Sequence, residues 1–157
     1  METKETIGID VSKATLDVHI HSNKCKGTFE NSKKGFSLLV KWAYGNSPVP
    51  TKNILFIFEH TGLYSEKLSE HLSKEGIPYT VVSGLEIKRS LGIVRGKDDR
   101  IDAAKIALYA YRLRDEITLS KAPSKRIRAL KKLLSLRERL VRDRKSTRLN
   151  SSHRCIS

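Results

Sequence analysis

Residues 53–59, which read NILFIFE, constrain the fold of this chain more than any other segment. They contain an unbroken apolar run that has the length of one strand and is far too short to span a membrane. A strand that is apolar on both faces requires cover on both faces. The segment therefore predicts a strand buried inside a sheet, with helices packed against that sheet.

The segments around this run predict the rest of the architecture. ETIGIDVS and ATLDVHIH alternate apolar and polar residues, and KGTFENS is weaker, so the three segments predict an antiparallel meander. A helix follows, with Gly45 and Pro48 at its end, and a second helix lies between Thr61 and Gly76. YTVVS predicts another buried strand, followed by a short helix near residues 85–91 and a longer one over residues 98–114. This order predicts an α/β fold with a mixed sheet flanked by helices, and the ribonuclease-H-like fold has the same order of elements.

The charge of the chain is concentrated near its carboxyl end. The net charge is +14, but residues 1–120 hold 18 basic and 15 acidic residues, whereas residues 121–144 hold 10 basic and 2 acidic ones. A segment this basic favours a polyanionic partner, and DNA or RNA is the commonest. After Pro123 the leucines recur at helical spacing. We therefore predict a globular domain over residues 1–118 and the start of a long basic helix over residues 119–142.

Four carboxylates occupy positions typical of a metal site. Asp10 is on the polar side of the first strand, and Glu59 directly follows the buried run. Asp99 and Asp102 are three residues apart near a predicted helix start, so they would share one helical face. A cluster of carboxylates is stable when divalent cations neutralise it, and Mg²⁺ prefers such oxygen ligands. Each residue also has a simpler interpretation: Asp98 or Asp99 as a helix N-cap, Asp10 as an edge residue and Glu59 as an ion-pair partner.

Basic residues near these acids and on the long helix are candidate phosphate contacts, although solvated surface charge remains the alternative. The predicted nucleic-acid-binding residues are Lys13, Arg95, Lys97, Arg100, Lys125, Arg126, Arg128, Lys131 and Lys132. His60 follows Glu59, but neighbouring strand residues point to opposite faces, so the two need not act together. The amino-terminal segment lacks the apolar core of a signal peptide. We expect a cytoplasmic bacterial protein, nucleoid-associated when active and without a membrane partner.

Four motifs carry a family resemblance. IGIDVSKATLDV, FEHTGLYSEKLSEHL, IPYTVVSGLEIKRSLG and GKDDRIDAAKIALYA resemble, in order and spacing, the amino-terminal domain of DEDD-type insertion-sequence transposases. These are RuvC-like recombinases guided by a bridge RNA. The resemblance implies that Asp10, Glu59, Asp99 and Asp102 are catalytic and bind Mg²⁺, and that Asp98 is not a ligand.

The resemblance also implies partners. The helix after Pro123 resembles the family's coiled-coil segment, which implies assembly into a homo-oligomer and contact with DNA or guide RNA. Family members continue into a second domain that supplies a serine nucleophile, and this chain ends before that domain. Residues 143–153, DRKSTRLNSSH, interrupt the leucine periodicity and resemble the translation of a synthetic sequencing adapter. We therefore predict that residues 143–157 are a non-native, disordered tail.

Three functions are compatible with these features. The first is a truncated DNA transposase that performs Mg²⁺-dependent strand cleavage and rejoining under RNA guidance. The second is a stand-alone nuclease of the Holliday-junction-resolvase type that uses the same carboxylates. The third is a non-catalytic module for nucleic-acid binding or assembly.

The resemblance generates one prediction about the chain as it stands. We expect the 157-residue chain to support no transposition by itself, because the family's serine nucleophile lies in the second domain. A plasmid-to-plasmid transposition assay with and without a full-length helper measures this directly. Recovery of insertions without the helper would contradict the expectation.

Overall fold

The computed structural model describes residues 2–91 and 102–152. The chain divides into two compact units, Met1–Ala122 and Pro123–Ser157. The strands of the first unit are β1 (Glu5–Val11), β2 (Thr15–Ile20), β3 (Lys26–Glu30), β4 (Ile54–Glu59) and β5 (Tyr79–Val82). Its helices are α1 (Lys33–Asn46), α2 (Leu63–Lys74), α3 (Gly84–Leu91) and α4 (Ala103–Arg112), and a 3₁₀ turn covers Thr51–Asn53. The second unit contains α5 (Lys125–Ser152).

The five strands form one mixed sheet in the order β3-β2-β1-β4-β5. β1 pairs antiparallel with β2, and β2 pairs antiparallel with β3, so the predicted meander is confirmed. β1 pairs parallel with β4, and β4 pairs parallel with β5. β1 is therefore the central strand, and its carboxyl end lies at the same edge of the sheet as the carboxyl ends of β4 and β5.

Helices cover both faces of the sheet, which confirms the predicted mixed sheet with flanking helices. On one face, α1 and α2 contribute Phe36, Leu39 and Leu68 to a core that also contains Phe56 and Phe58 of β4. These side chains are fully or almost fully buried. The apolar residues of α1 and α2 recur every three or four positions, so each helix buries one side against the sheet.

The opposite face is covered by α3 and α4. Ile57 of β4, which points away from Phe56 and Phe58, packs with Ile87 of α3 and Ile106 of α4 in a second core. The continuous apolar run of β4 is thus explained by burial on both faces.

α4 lies directly on β1 because residue 8 has no side chain. A Cβ atom at Gly8 would be 2.1 Å from the Ala103 carbonyl oxygen and 2.5 Å from the Ala107 backbone nitrogen. Next to this contact, the Thr6 hydroxyl donates a hydrogen bond of 2.9 Å to the Ala107 carbonyl. Glycine is therefore required for α4 to approach the sheet this closely.

Several helix boundaries differ from those predicted: α4 ends at Arg112 and not at residue 114, and α5 begins at Lys125 and not at residue 119. α1 continues through Gly45 to Asn46 and ends at the C-cap Ser47, because a glycine in the last turn is tolerated when the helix packs on a sheet. α4 begins at Ala103, whereas the sequence predicted a helix from residue 98. Asp98 lies outside the described residues.

α5 is a helix of 28 residues with a row of exposed apolar side chains, among them Leu133 and Leu140. It continues to Ser152, so residues 143–152 are helical where the sequence predicted disorder. A helical backbone does not test whether residues 143–157 are native, so the non-native origin of this tail stays a prediction. Among the described residues, no helix is long and apolar enough to cross a membrane.

The close contact at Gly8 predicts that adding one methyl group at this residue lowers the stability of the fold strongly. We expect Gly8→Ala to destabilise the chain by about 3 kcal/mol or more, because the new Cβ meets backbone atoms that cannot rotate away. Chemical denaturation followed by circular dichroism measures the change in unfolding free energy.

Gly45→Ala is the matched control for this prediction. A Cβ at Gly45 meets no atom within 4 Å, and alanine favours helix by roughly 0.5–1 kcal/mol over glycine. We expect this variant to be as stable as the wild type or slightly more stable. Equal stability of the Gly8→Ala and Gly45→Ala variants would contradict the proposed contact.

Candidate active site

The described candidate ligands lie on one side of the sheet, the side covered by α4. Asp10 is two residues after Gly8 on β1, so its side chain points to the same face as the α4 contact. Glu59 is two residues after Ile57 on β4 and points to that same face. The last printed pair of the β1–β4 ladder is Ile9 with Phe58, which places Asp10 and Glu59 on adjacent strands at the same edge.

Asp102 reaches this edge from α4. Its backbone is extended, with φ −100° and ψ 168°, and its side chain is the N-cap of the helix. The Asp102 Oδ1 atom accepts a hydrogen bond of 2.8 Å from the Lys105 backbone N–H. This bond holds the carboxylate at the amino end of α4, where the helix dipole favours negative charge.

This geometry corrects two sequence-based interpretations. Asp102 precedes α4, so it does not lie on a helical face that it could share with Asp99, as the three-residue spacing predicted. The N-cap is Asp102 itself, and not Asp98 or Asp99. Aspartate favours the N-cap because its short side chain reaches the free N–H groups of the first turn. Asp99 lies outside the described residues.

The surroundings of Asp10 are unfavourable for its negative charge. Burial raises the pKa of its carboxyl above the ordinary value of 3.8, and repulsion from Asp17 and Asp102 raises it further. A hydrogen bond from the Val11 backbone acts in the opposite direction. Among the described residues, no lysine or arginine forms an ion pair with Asp10. The ionised form of Asp10 is therefore destabilised by the fold.

Asp17 is an additional acidic residue of this site that the sequence analysis did not identify. It is the direct cross-strand partner of Asp10 in the β1–β2 ladder, so both side chains lie on the same face. The Thr28 hydroxyl on β3 donates a hydrogen bond of 2.6 Å to Asp17 Oδ1. The sequence shows Asp17 at a polar position of an alternating strand, so it was a possible candidate. The sequence does not show the pairing register that brings Asp17 beside Asp10.

His19 lies on the same face of β2, and His21 directly follows the end of that strand. Burial lowers the pKa of both imidazoles, and Lys24 lowers each pKa further. The His21 ring stacks on Tyr111, the residue before the last of α4, with 4.2 Å between the ring centroids. The stacking of His21 on Tyr111 holds the carboxyl end of α4 beside the end of β2.

The oxygen donors of this site suit a hard divalent cation. Carboxylates are the ligands that Mg²⁺ prefers, and a cation would remove the repulsion that acts on Asp10. Within the residues that the structure describes, no group of three or more histidine, cysteine or acidic side chains is arranged to hold a metal ion. The described carboxylates thus fit a cation by their chemistry, and the fourth predicted ligand, Asp99, lies in the undescribed segment.

An open cleft adjoins Glu59 at the same edge of the sheet. It has a volume of about 500 Å³ and lies where β4 and β5 end and α3 begins. His60 borders the cleft together with Glu59, and its backbone N–H donates a hydrogen bond of 2.9 Å to the Val82 carbonyl. The cleft is lined by Glu59, His60, Ser83, Gly84, Leu85 and Lys88.

The predicted nucleic-acid contacts fall into three groups. Lys13 is exposed in the turn after β1, at the edge that carries Asp10. Arg95, Lys97 and Arg100 lie outside the described residues. The remaining five are on α5, where the side chain of Arg126 is exposed; the other four are Lys125, Arg128, Lys131 and Lys132.

Similarity to known proteins is found in a family model and in solved structures. No curated protein matches the chain. The structure resembles that of Thermus thermophilus RuvC, with a TM-score of 0.48 and 12% identity over 74% of this chain and 98% of RuvC. The structure of T. thermophilus RuvC in complex with a Holliday junction substrate gives the same values. The family model DEDD_Tnp_IS110, described as "Transposase", matches residues 7–155. Because this match covers almost the whole sequence, the chain belongs to the DEDD transposase family.

Proposed function

We propose that this chain carries the catalytic carboxylates of a DNA transposase that cleaves and rejoins DNA strands with Mg²⁺. Asp10, Glu59, Asp99 and Asp102 would hold the cations. The observation that supports the proposal is the repulsion of Asp10 by Asp17 and Asp102, which together with burial raises the pKa of Asp10. Repulsion of the kind that acts on Asp10 favours cation binding over a purely structural role.

The chain's own residues provide position and charge for this chemistry. Asp10 extends from the rigid central strand, so its carboxylate is held by the sheet and not by a loop. The Lys105 N–H fixes the orientation of Asp102 through Oδ1. When bound, divalent cations would activate the nucleophile and stabilise the leaving oxygen of the phosphodiester. Lys13 at the same edge would hold the DNA backbone close to the carboxylates.

The partners of the enzyme follow from the family resemblance and from α5. We propose that a guide RNA selects target and donor DNA and that the protein acts in the cytoplasm on the nucleoid. Seven apolar residues of α5, from Ile127 to Val141, are exposed within the chain, as expected if a second copy covers them in a coiled coil. The basic residues of α5 would then lie outside this contact and bind phosphates.

Thermal unfolding with Mg²⁺ tests the metal site. We expect Mg²⁺ at ten times its dissociation constant to stabilise the wild type by about 1.4 kcal/mol, which is a rise in melting temperature of roughly 3–6 °C. Asp10→Asn should abolish most of this rise. Without metal the same variant should be at least as stable as the wild type, because the substitution removes the repulsion from Asp17 and Asp102.

Asp115→Asn is the matched control, since Asp115 is exposed beyond the end of α4. It should respond to Mg²⁺ as the wild type does. An equal Mg²⁺ response of the Asp10→Asn variant would exclude Asp10 as a ligand.

DNA cleavage tests the reaction itself. In the wild type we expect nicking of labelled branched DNA that depends on Mg²⁺. Asp10→Asn should lower the rate at least about a hundredfold, because one charge-stabilising group is worth that much in enzymes. Denaturing gel electrophoresis measures the products. DNA binding without cleavage in any condition would favour the non-catalytic module, and the Asp115→Asn variant again serves as the control.

A further inference from the structure

We propose that the cleft beside Glu59 is a binding subsite for one nucleotide of the DNA strand that is cleaved. The phosphate would contact Lys88, and the sugar and base would contact Leu85. This inference rests on the proposed function, because it takes Glu59 as a member of the catalytic set.

The position of the cleft supports a strand that runs past the carboxylates. Glu59 is at once the last residue of β4 and a wall of the cleft, so a ligand in the cleft lies next to the catalytic edge. A volume of about 500 Å³ lies within the range of sites that enclose small ligands, which is roughly 300–1,000 Å³. The cleft is open to solvent, so one nucleotide can occupy it while the rest of the strand stays outside.

The side chains of the cleft offer the two kinds of contact that a nucleotide needs. Lys88 is exposed and forms no ion pair with any residue that the structure describes. Leu85 is 55% exposed although it is a large apolar residue. A cation beside an exposed apolar surface matches a nucleotide, in which a phosphate neighbours an apolar ring face.

The fold holds these two side chains in place. Leu85 and Lys88 are three residues apart on α3, so they share one helical face. Ile87, between them, is fully buried and anchors α3 in the core under α4. The amino end of α3 is closed by Ser83, whose backbone N–H donates to the Glu86 carboxylate and whose Oγ accepts from the Leu85 N–H. Because Ser83 already accepts a hydrogen bond from a backbone N–H at this helix end, we assign the phosphate contact to the Lys88 side chain and not to the helix end.

Two variants of the full chain test the subsite, each with a control on α1. In the first, Lys88→Ala is compared with Lys41→Ala, an exposed lysine on the helix that covers the opposite face. Anisotropy of a labelled single-stranded 20-mer DNA is measured in EDTA over a range of salt concentrations. We expect Lys88→Ala to weaken binding severalfold and to lower the salt slope by about 0.7, the loss for one phosphate contact on a single strand. Lys41→Ala should change neither.

In the second test, tryptophan at the site reports directly on bound bases. Leu85→Trp should lose fluorescence when DNA binds, because bases stack on exposed aromatic rings. Leu38→Trp, at an equally exposed apolar position on α1 (50% exposed), should not. Trp42 contributes the same background fluorescence to both variants, so the quenching that Leu85→Trp shows beyond Leu38→Trp reports on residue 85.

The outcomes separate the subsite from the metal site. If Lys88→Ala matches Lys41→Ala and Leu85→Trp shows no quenching, the subsite is wrong. The metal site is then still judged separately, by the effect of Asp10→Asn on the Mg²⁺ response. If the Lys88 and Leu85 effects appear but Asp10→Asn keeps its Mg²⁺ response, the subsite is supported and the metal assignment is wrong. An effect confined to a 20-mer RNA, or no DNA binding by the wild type, overturns the subsite.

Discussion

The close contact between α4 and β1 is the constraint on which the candidate site depends. Gly8 lets the backbone of α4 touch the central strand, and the Thr6 hydroxyl adds a hydrogen bond to the Ala107 carbonyl. Any side chain at residue 8 would separate helix and strand. Because Asp102 caps α4 and Asp10 follows Gly8 on β1, this separation would also move the two carboxylates apart. The same glycine therefore supports both the packing of the fold and the geometry of the site.

At the carboxylates, in contrast, the interactions that folding creates are electrostatically unfavourable. Burial and two acidic neighbours raise the pKa of Asp10, which means that folding concentrates negative charge where water is partly excluded. Stability alone would favour a neutral residue at this position. Perturbed carboxyl groups of this kind are characteristic of functional sites. The transposase family to which the chain belongs provides a reason for keeping the charge, because strand cleavage requires bound cations in the proposed mechanism.

Much of the architecture was predictable because it depends on local patterns. Alternation identified β1 and β2, the unbroken apolar run identified β4, and helical spacing identified α1 and α2. The start of α4 was not predictable to the residue, since three aspartates near it are all good N-caps and the helix begins at Ala103, which contacts Gly8. For the same reason the spacing of Asp99 and Asp102 suggested a shared helical face that Asp102 does not have.

The sequence by itself determined which residue types were available: an aspartate after an apolar strand, a glutamate after a buried one, and a basic helix rich in leucine. Only the tertiary structure decided which of them meet. The register of β1 against β2 placed Asp17 beside Asp10, and the parallel pairing of β1 with β4 placed Glu59 at the same edge. The cleft with Leu85 and Lys88 arises because Ile87 anchors α3 beside β5. The physical reason is that periodicity reports which side of one element is buried, whereas register and helix docking depend on contacts between residues far apart in the chain.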